Sequence, residues 1–335
     1  MKGGLASLVV SLSTALVFSA GCVGVQIPQN PFQSPPVNRK QLPENLRRYY
    51  DYPKGKIDYV ETSIKHRRNY NIHRIEFPSS MHTSPQNDTA RMDYYELKTS
   101  DKTPLVIISP ILGGSNSESK MFADYFANRG LACAIVLRPK NKFPEEGKYA
   151  QSLEDILRQS IIDTRRAIDI LEGFPEIDSD RIGSFGISMG GIKNAALAGI
   201  DKRLKANIFV MAGADIPYIL QHSNEKGVIR EIRKARRTIT DEELFSQLKE
   251  KIISDPKNLA QYIEGRNVLM YLTIFDQVVP LSSQEKLRRL IRGERAIYLP
   301  TGHYTAALCG LPPFEYVQTT SFEFFREKFK LPMDD

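Results

Sequence analysis

The chain has 335 residues, of which 41% are hydrophobic and 25% charged, and a formal net charge of +7. This composition excludes a chain that is disordered throughout, and the length allows a substantial buried core. The mild basic excess comes without zinc-finger spacing, an RNP-like aromatic motif or a dense basic block, so we expect no nucleic-acid partner.

The N-terminus, MKGGLASLVVSLSTALVFSAGC, has the pattern of an export signal. Lys2 supplies a positive charge, an apolar run follows over 5–18, and small residues come next. A membrane-spanning helix needs about 20 apolar residues, so this run is too short for one. The pattern therefore predicts a signal peptide.

The end of this segment, SAGC, resembles the lipobox of bacterial lipoproteins, with Ser19 where that family usually has leucine. The resemblance implies a signal peptide over 1–21, lipid on Cys22 and attachment to the bacterial cell envelope. Val23 follows the cysteine instead of Asp, which indicates the outer membrane if the host is Gram-negative. Plain secretion and an uncleaved anchor are the alternatives.

Proline, glutamine and asparagine are frequent in the next segment, which begins VGVQIPQNPFQSPPVNRK. This composition predicts a Pro-rich tether over 22–60, followed by one domain over 61–335. Besides Cys22 the chain has Cys133 and Cys309, which we expect to be buried thiols, with a disulfide as the alternative. Neither has histidines at metal-ligand spacing, so no structural metal is predicted.

Two strand-like runs come first in the domain, at 71–77 and 92–97, with no helix between them. They predict an antiparallel hairpin at one edge of a sheet. Six later runs are continuously apolar, as expected for parallel strands that are buried on both faces. These later runs are 105–110, 131–137, 181–186, 206–213, 267–275 and 296–300.

Helical patterns alternate with these strands. The clearest one is SLEDILRQSIIDTRRAIDILEG, where apolar residues recur every three or four positions. Alternating strands and helices predict an α/β fold with a doubly wound, mainly parallel sheet. Further helices are predicted at 118–127, 188–197, 284–291 and 314–329.

One long interval interrupts this alternation and has a helical pattern of its own. It predicts a helical cap inserted over about 216–266, in which Thr240 and Glu243 mark the start of a helix. The cap is rich in Arg and Lys, so we expect it to shape the substrate pocket and to favour an acidic or membrane-surface substrate.

The stretch GSFGISMGG contains the candidate catalytic residue Ser188. An apolar strand leads into it and a helix of small residues leaves it, with Ser188 two residues from both Gly186 and Gly190. A sharp strand-to-helix turn projects its central side chain outward, and flanking glycines allow close backbone contacts. The stretch resembles the nucleophile elbow of the α/β-hydrolase superfamily. A glycine-rich packing turn is the alternative.

A serine nucleophile requires a base and an acid that orients the base. The resemblance implies the chain order nucleophile, acid, base. His303, directly after the last predicted strand, is the predicted base, while His222 lies in the cap. Asp276 is the predicted acid, because FDQVVP resembles the acid loop of dienelactone-hydrolase-like esterases. Asp215, at the end of the previous strand, is the competing candidate.

The resemblance also implies an oxyanion hole made by two backbone amides. Met189, directly after the nucleophile, supplies one, and Leu112 in the loop SPILGGS supplies the other. In that loop Pro110 and Ile111 stand where the superfamily often has His and Gly, and proline has no amide hydrogen.

The resemblance extends over 70–330 and is nearest to dienelactone-hydrolase-like and acetyl-esterase-like bacterial members. It implies a serine hydrolase that acts on a small-molecule carboxylic ester without a cofactor, and the lipobox-like N-terminus adds a lipid anchor. A serine peptidase or acyltransferase with the same triad is a second hypothesis. A non-catalytic envelope lipoprotein that keeps the fold is a third.

Overall fold

The structure is a computed structural model that describes residues 25–26, 40–113, 116–137, 147–293, 295–306 and 315–332. The predicted signal peptide, Cys22, most of the predicted tether and Cys309 lie outside these ranges. Within them, no helix is long and apolar enough to cross a membrane.

The described residues form a single ten-stranded sheet. Its strands are β1 (Val25–Gln26), β2 (Val60–His66), β3 (Tyr70–Pro78), β4 (Thr89–Leu97), β5 (Thr103–Ser109), β6 (Ala132–Val136), β7 (Ile177–Ile187), β8 (Leu204–Val210), β9 (Val268–Thr273) and β10 (Arg295–Leu299). Across the sheet the order is β1-β10-β9-β8-β7-β5-β6-β4-β3-β2.

The centre of the sheet is parallel, from β10 through β9, β8, β7 and β5 to β6. All residues of β5, β6 and β9 are buried, which is why these strands appear in the sequence as uninterrupted apolar runs. The predicted α/β architecture with a mainly parallel sheet is confirmed.

Helices pack around this sheet. They are α1 (Glu44–Tyr49), α2 (Ser117–Ala127), α3 (Tyr149–Leu171), α4 (Met189–Ile200), α5 (Ile216–His222), α6 (Lys226–Ala235), α7 (Asp241–Lys251), α8 (Pro256–Leu259), α9 (Leu281–Ile291) and α10 (Tyr316–Phe329), with short 3-10 turns at Pro85–Asn87, Ala260–Tyr262 and Gly265–Asn267. The five predicted helices outside the cap correspond to α2, α3, α4, α9 and α10.

The N-terminal strands are antiparallel, as predicted, but they are not the edge of the sheet. β3 pairs with β4 and β4 pairs with β6, while β2 pairs with the other side of β3. Every residue of β2 is exposed. A strand with no buried face has no apolar alternation, so the sequence pattern did not reveal it.

The segment just before β2 packs against the domain, although it lies within the range 22–60 that the sequence predicts as a tether. Leu42, Tyr50 and Tyr52 are buried. The Tyr52 hydroxyl donates a hydrogen bond to Asp169 at 2.8 Å, and the Tyr50 hydroxyl lies 2.9 Å from the hydroxyl of Ser254. Aromatic rings bury a large apolar area while their hydroxyls find polar partners, and this outweighs the Pro-rich composition nearby.

The interval between β8 and β9 contains α5 to α8, where the sequence predicts a helical cap. Thr240 begins α7 as predicted: its hydroxyl accepts from the N–H of Glu243, and the Glu243 carboxylate accepts from the N–H of Thr240. This reciprocal pair is a capping box, which stabilises the first turn of the helix.

Cys133 lies in β6 and is fully buried with a free thiol. Burial raises the pKa of this thiol well above its ordinary value, so the thiolate is disfavoured. The prediction of a buried thiol is confirmed for this cysteine, whereas Cys309 lies outside the described residues.

A buried carboxyl group in α3 makes the stability of the fold depend on pH. Asp163 accepts a hydrogen bond from the hydroxyl of Ser79 at 2.6 Å. Burial raises the pKa of Asp163 to about 7, although the Ser79 hydrogen bond and the charge of Arg166 act in the opposite direction. The folded state therefore binds a proton here more tightly than the unfolded state does.

We expect this proton to stabilise the fold fully below about pH 4 and the stabilisation to be lost as the pH rises towards 7. Over that window the contribution of Asp163 to the free energy of unfolding should fall by about 4 kcal/mol. Urea unfolding of the wild type and Asp163→Asn across this range measures the difference. Parallel pH profiles for the two proteins would contradict the assignment.

Candidate active site

Ser188 lies at the turn between β7 and α4, at the carboxyl edge of the parallel strands. Its backbone has φ 55° and ψ −123°, a region that non-glycine residues rarely adopt. Hydrogen bonds hold this conformation on both sides: the Ser188 N–H donates to the Val210 carbonyl at 2.8 Å, and the Ser188 carbonyl accepts from the Ile192 N–H at 2.9 Å. The strained turn is thus built into the sheet and the helix.

The glycines around Ser188 are required by close backbone contacts. A Cβ atom on Gly186 would lie 2.5 Å from the backbone of Gly190, and one on Gly190 would overlap the carbonyl oxygen of Ser109 in β5. Backbone atoms cannot rotate away as a side chain can, so only glycine fits at these two positions. The spacing seen in the sequence therefore reflects the packing of the turn.

The structure brings Ser188, His303 and Asp276 together. His303 Nε2 lies 3.0 Å from Ser188 Oγ, and His303 Nδ1 lies 2.8 Å from Asp276 Oδ2. An ionised carboxylate only accepts hydrogen bonds, so Nδ1 carries the proton and Nε2 accepts from the serine hydroxyl. The Asp276 side chain is fully buried and the His303 side chain is 10% exposed.

Asp276 is held by several donors besides His303. Its Oδ1 accepts from the N–H groups of Val278 and Val279 at 2.8 and 2.9 Å. Its Oδ2 accepts from the Thr273 hydroxyl at 2.7 Å and the Gln284 amide at 3.2 Å. Burial alone would raise the pKa of Asp276, but the hydrogen bonds from His303 and Thr273 outweigh it and lower the pKa below its ordinary value.

Two of these hydrogen-bond partners, Thr273 and Gln284, were not predicted from the sequence as site residues. Thr273 is the polar last residue of an otherwise apolar strand, which is a usable signal for a site at a strand end. Gln284 is fully buried in α9 and its amide also donates to the Val279 carbonyl at 2.7 Å. Nothing in the SSQEK stretch around it indicates this role.

The competing acid and base candidates lie outside this arrangement. Asp215 forms ion pairs with Lys257, at 3.2 Å, and with Lys286. Burial raises the pKa of Asp215, but these two ammonium groups together lower it. His222 stacks on the Tyr218 ring with centroids 4.1 Å apart, and its Nδ1 lies 2.9 Å from the Tyr218 carbonyl oxygen.

A cavity of about 410 Å³ opens beside Ser188 and His303, and both predicted oxyanion residues line it. Met189 is the first residue of α4, where N–H groups have no partner inside the helix. Leu112 is 39% exposed. Gly114 and Ser115, later in the same loop, lie outside the described residues.

The charge of the cavity wall differs from the expectation of a basic cap. Among its described lining residues there is no Lys or Arg, and the charged ones are Glu118 and Glu225. Basic residues of the cap form surface ion pairs instead, such as Arg236 with Asp241 at 2.6 Å. Helical periodicity explains this, because the charged face of α6 points to solvent and its apolar face, including Val228, points inward.

Within the described residues, no group of three or more His, Cys, Asp or Glu side chains could hold a metal ion. The chemistry available at the site is that of a serine hydroxyl paired with a histidine and a buried carboxylate.

The model of the acetyl xylan esterase (AXE1) family matches residues 147–299 of this chain. The matched range contains Ser188 and Asp276 and ends shortly before His303. No curated protein is significantly similar to the chain in sequence.

Solved structures resemble the chain over most of its length. Acetyl xylan esterase 1 from Thermoanaerobacterium sp. JW/SL YS485 has a TM-score of 0.64 at 20% identity, and the matched region covers 86% of this chain and 94% of the esterase chain. Acetyl xylan esterase from Paenibacillus sp. R4 has a TM-score of 0.66 at 19% identity, with 84% and 92% covered. Pyrococcus horikoshii acylaminoacyl peptidase has a TM-score of 0.58 at 16% identity, with 80% and 43% covered. Likeness at these identities establishes the α/β-hydrolase fold.

Proposed function

Given an α/β-hydrolase fold with Ser188, His303 and Asp276 hydrogen-bonded at its strand ends, we infer that the chain is a serine hydrolase that cleaves carboxylic esters through an acyl-enzyme. The observation that carries this inference is the continuous set of hydrogen bonds from Ser188 through His303 to Asp276 beside an open cavity. The match to an esterase family model and the esterases among the similar structures support the same reaction class.

In the proposed reaction, Ser188 Oγ attacks the acyl carbonyl carbon while His303 Nε2 takes the hydroxyl proton. Asp276 keeps the Nδ1 proton in place and stabilises the imidazolium that forms. The imidazolium then gives its proton to the departing alkoxide oxygen, which leaves as the alcohol. His303 Nε2 then takes a proton from water as the water oxygen attacks the acyl carbon of the acyl-enzyme. When the bond to Ser188 Oγ breaks, the imidazolium returns that proton to Ser188 Oγ and the carboxylic acid is released.

We assign the oxyanion that forms in both steps to the backbone N–H groups of Met189 and Leu112. Each such donor typically contributes about 3 to 4 kcal/mol to stabilisation of the transition state. Met189 also stands at the N-terminal end of α4, where the helix dipole favours negative charge. In the loop SPILGGS, Leu112 is the donor by resemblance to the superfamily, and Pro110 before it has no N–H.

A fluorophosphonate probe tests the nucleophile directly. We expect covalent labelling of the wild type and none of Ser188→Ala. Acyl esters and N-acylated peptides offered to the same protein then separate ester from peptide hydrolysis. Folded wild-type protein that is not labelled would refute the proposal and favour a non-catalytic scaffold. Labelling that survives Ser188→Ala would refute Ser188 as the nucleophile.

We also propose that the protein is exported and anchored to the bacterial cell envelope by lipid on Cys22. The support is the charged and apolar N-terminal pattern followed by SAGC. Incorporation of a labelled fatty acid in cells should occur in the wild type and be lost in Cys22→Ser. Equal labelling of the two proteins would overturn the anchor and leave the ester hydrolase proposal untouched.

A further inference from the structure

The cavity beside Ser188 is far larger than an acetyl group requires. Its volume is about 410 Å³. At roughly 30 Å³ per heavy atom, the volume that one water occupies in the liquid, a methyl group would fill less than about a tenth of it, whereas an octanoyl chain needs about 200 Å³. The space suits a ligand of several carbon atoms.

The wall of the cavity is apolar on several sides. α5 contributes Ile219 and Leu220, α6 contributes Val228, and α2 contributes Met121 and Phe122. Apart from Met121, each of these side chains is less than 10% exposed. A preformed apolar wall of this kind favours an alkyl chain.

Polar residues are a minority of the cavity lining. They are Ser117, Ser188, Ser223, His303 and Tyr304, together with the acidic Glu118 and Glu225. A carboxylate on the substrate chain would be repelled by these two side chains and would lack a basic partner in the described wall. The described wall therefore disfavours a negatively charged substrate chain.

Ser188 and His303 both line this cavity, so the fates of the acyl group and the alcohol indicate which part of the ester occupies it. The acyl group stays bonded to Ser188, which is 9% exposed, whereas the alcohol leaves after protonation by His303. Next to His303, Tyr304 is 66% exposed and its ring packs edge-on against the imidazole at 5.6 Å between centroids. The His303 side chain itself is 10% exposed, so the exposed Tyr304 beside it marks the route by which the alcohol leaves to solvent.

We propose that this cavity is an acyl-chain site and that the enzyme prefers esters of fatty acids of about six to ten carbons over acetyl esters. The proposal rests on the proposed ester hydrolysis and adds the substrate class. Each buried methylene should raise kcat/KM about fourfold, and octanoyl should exceed acetyl by at least about 100-fold.

The test measures kcat/KM for p-nitrophenyl esters from acetyl to dodecanoyl, below their micelle concentrations, and for alkyl acetates of increasing alcohol length. A rise with acyl length, and none with alcohol length, supports the proposal. A fall with acyl length, or a preference for long alcohols, overturns it. Failure to hydrolyse any ester by folded protein would overturn the proposed function itself, and is distinguishable from both.

Val228→Trp fills the cavity from α6 and should lower the octanoyl-to-acetyl ratio of kcat/KM at least tenfold. Ile229→Trp is the matched control, because the neighbouring Ile229 is 40% exposed and does not line the cavity. Its ratio should equal that of the wild type. If Val228→Trp lacks a cooperative thermal transition, Met121→Trp in α2 makes the same test. An unchanged ratio in the folded filled variant overturns the acyl site.

Discussion

Ser188→Ala is expected to lower kcat for p-nitrophenyl ester hydrolysis by on the order of 10⁶-fold. Alanine has no hydroxyl to form the acyl-enzyme, so only binding and oxyanion stabilisation remain to accelerate attack by water. The substitution removes one oxygen atom and leaves the surrounding backbone hydrogen bonds in place. Initial rates of the two proteins at equal concentration of folded protein, determined by absorbance, measure the loss.

Ser282→Ala is the control for this substitution, because Ser282 is exposed in α9 and its hydroxyl bonds only to Tyr218 in the described structure. Its kcat should match the wild type. The double variant Ser188→Ala/His303→Ala should be little slower than Ser188→Ala alone, because residues that act as one unit do not contribute additively. A residual kcat of Ser188→Ala within about tenfold of the wild type would exclude Ser188 as the nucleophile.

The second large effect concerns the acid. Asp276→Asn should lower kcat about 10⁴-fold with little change in KM. The amide that replaces the Asp276 carboxylate can donate a hydrogen bond to His303 Nδ1, and the imidazole proton then lies on Nε2. A protonated Nε2 cannot accept the hydroxyl proton of Ser188. The backbone donors of Val278 and Val279 can still bond to the amide oxygen, so the fold should survive.

Asp215→Asn makes the same chemical change at the carboxylate that competed with Asp276 in the sequence. Asp215 is engaged by Lys257 and Lys286, and the change should leave kcat nearly unaffected. Thermal unfolding of both variants separates lost chemistry from lost fold. A larger loss of kcat in Asp215→Asn than in Asp276→Asn would reverse the assignment of the acid.

Much of the site was predictable because its signals are local. Gly186 and Gly190 mark a turn in which backbones approach too closely for any side chain, and this constraint is visible as spacing. The continuous apolar runs mark strands that are buried on both faces. The strand ends that precede Asp276 and His303 could therefore be located from the sequence alone.

The remaining features depend on distant parts of the chain. The Tyr50 hydroxyl contacts Ser254, which is 204 residues later in the chain. Gln284 donates hydrogen bonds to Thr273 and Asp276 because α9 packs against β9. The sign of charge at the cavity depends on which face of α6 turns inward. Composition averages over both faces of a helix, and for this reason the Arg and Lys content of the cap did not indicate the charge of the described cavity wall.

The exposed strand β2 has a consequence for self-association. The last strand of an open sheet leaves unpaired backbone groups that could recruit a strand from another molecule and start a polymer. β2 carries Glu61 and Lys65 on this margin, and its register shifts between Ser63 and Lys65 in the manner of a β-bulge. Charge and irregular spacing both oppose the addition of a strand from another molecule. The exposed strand β2 therefore protects the more apolar strands β3 and β4 from intermolecular aggregation.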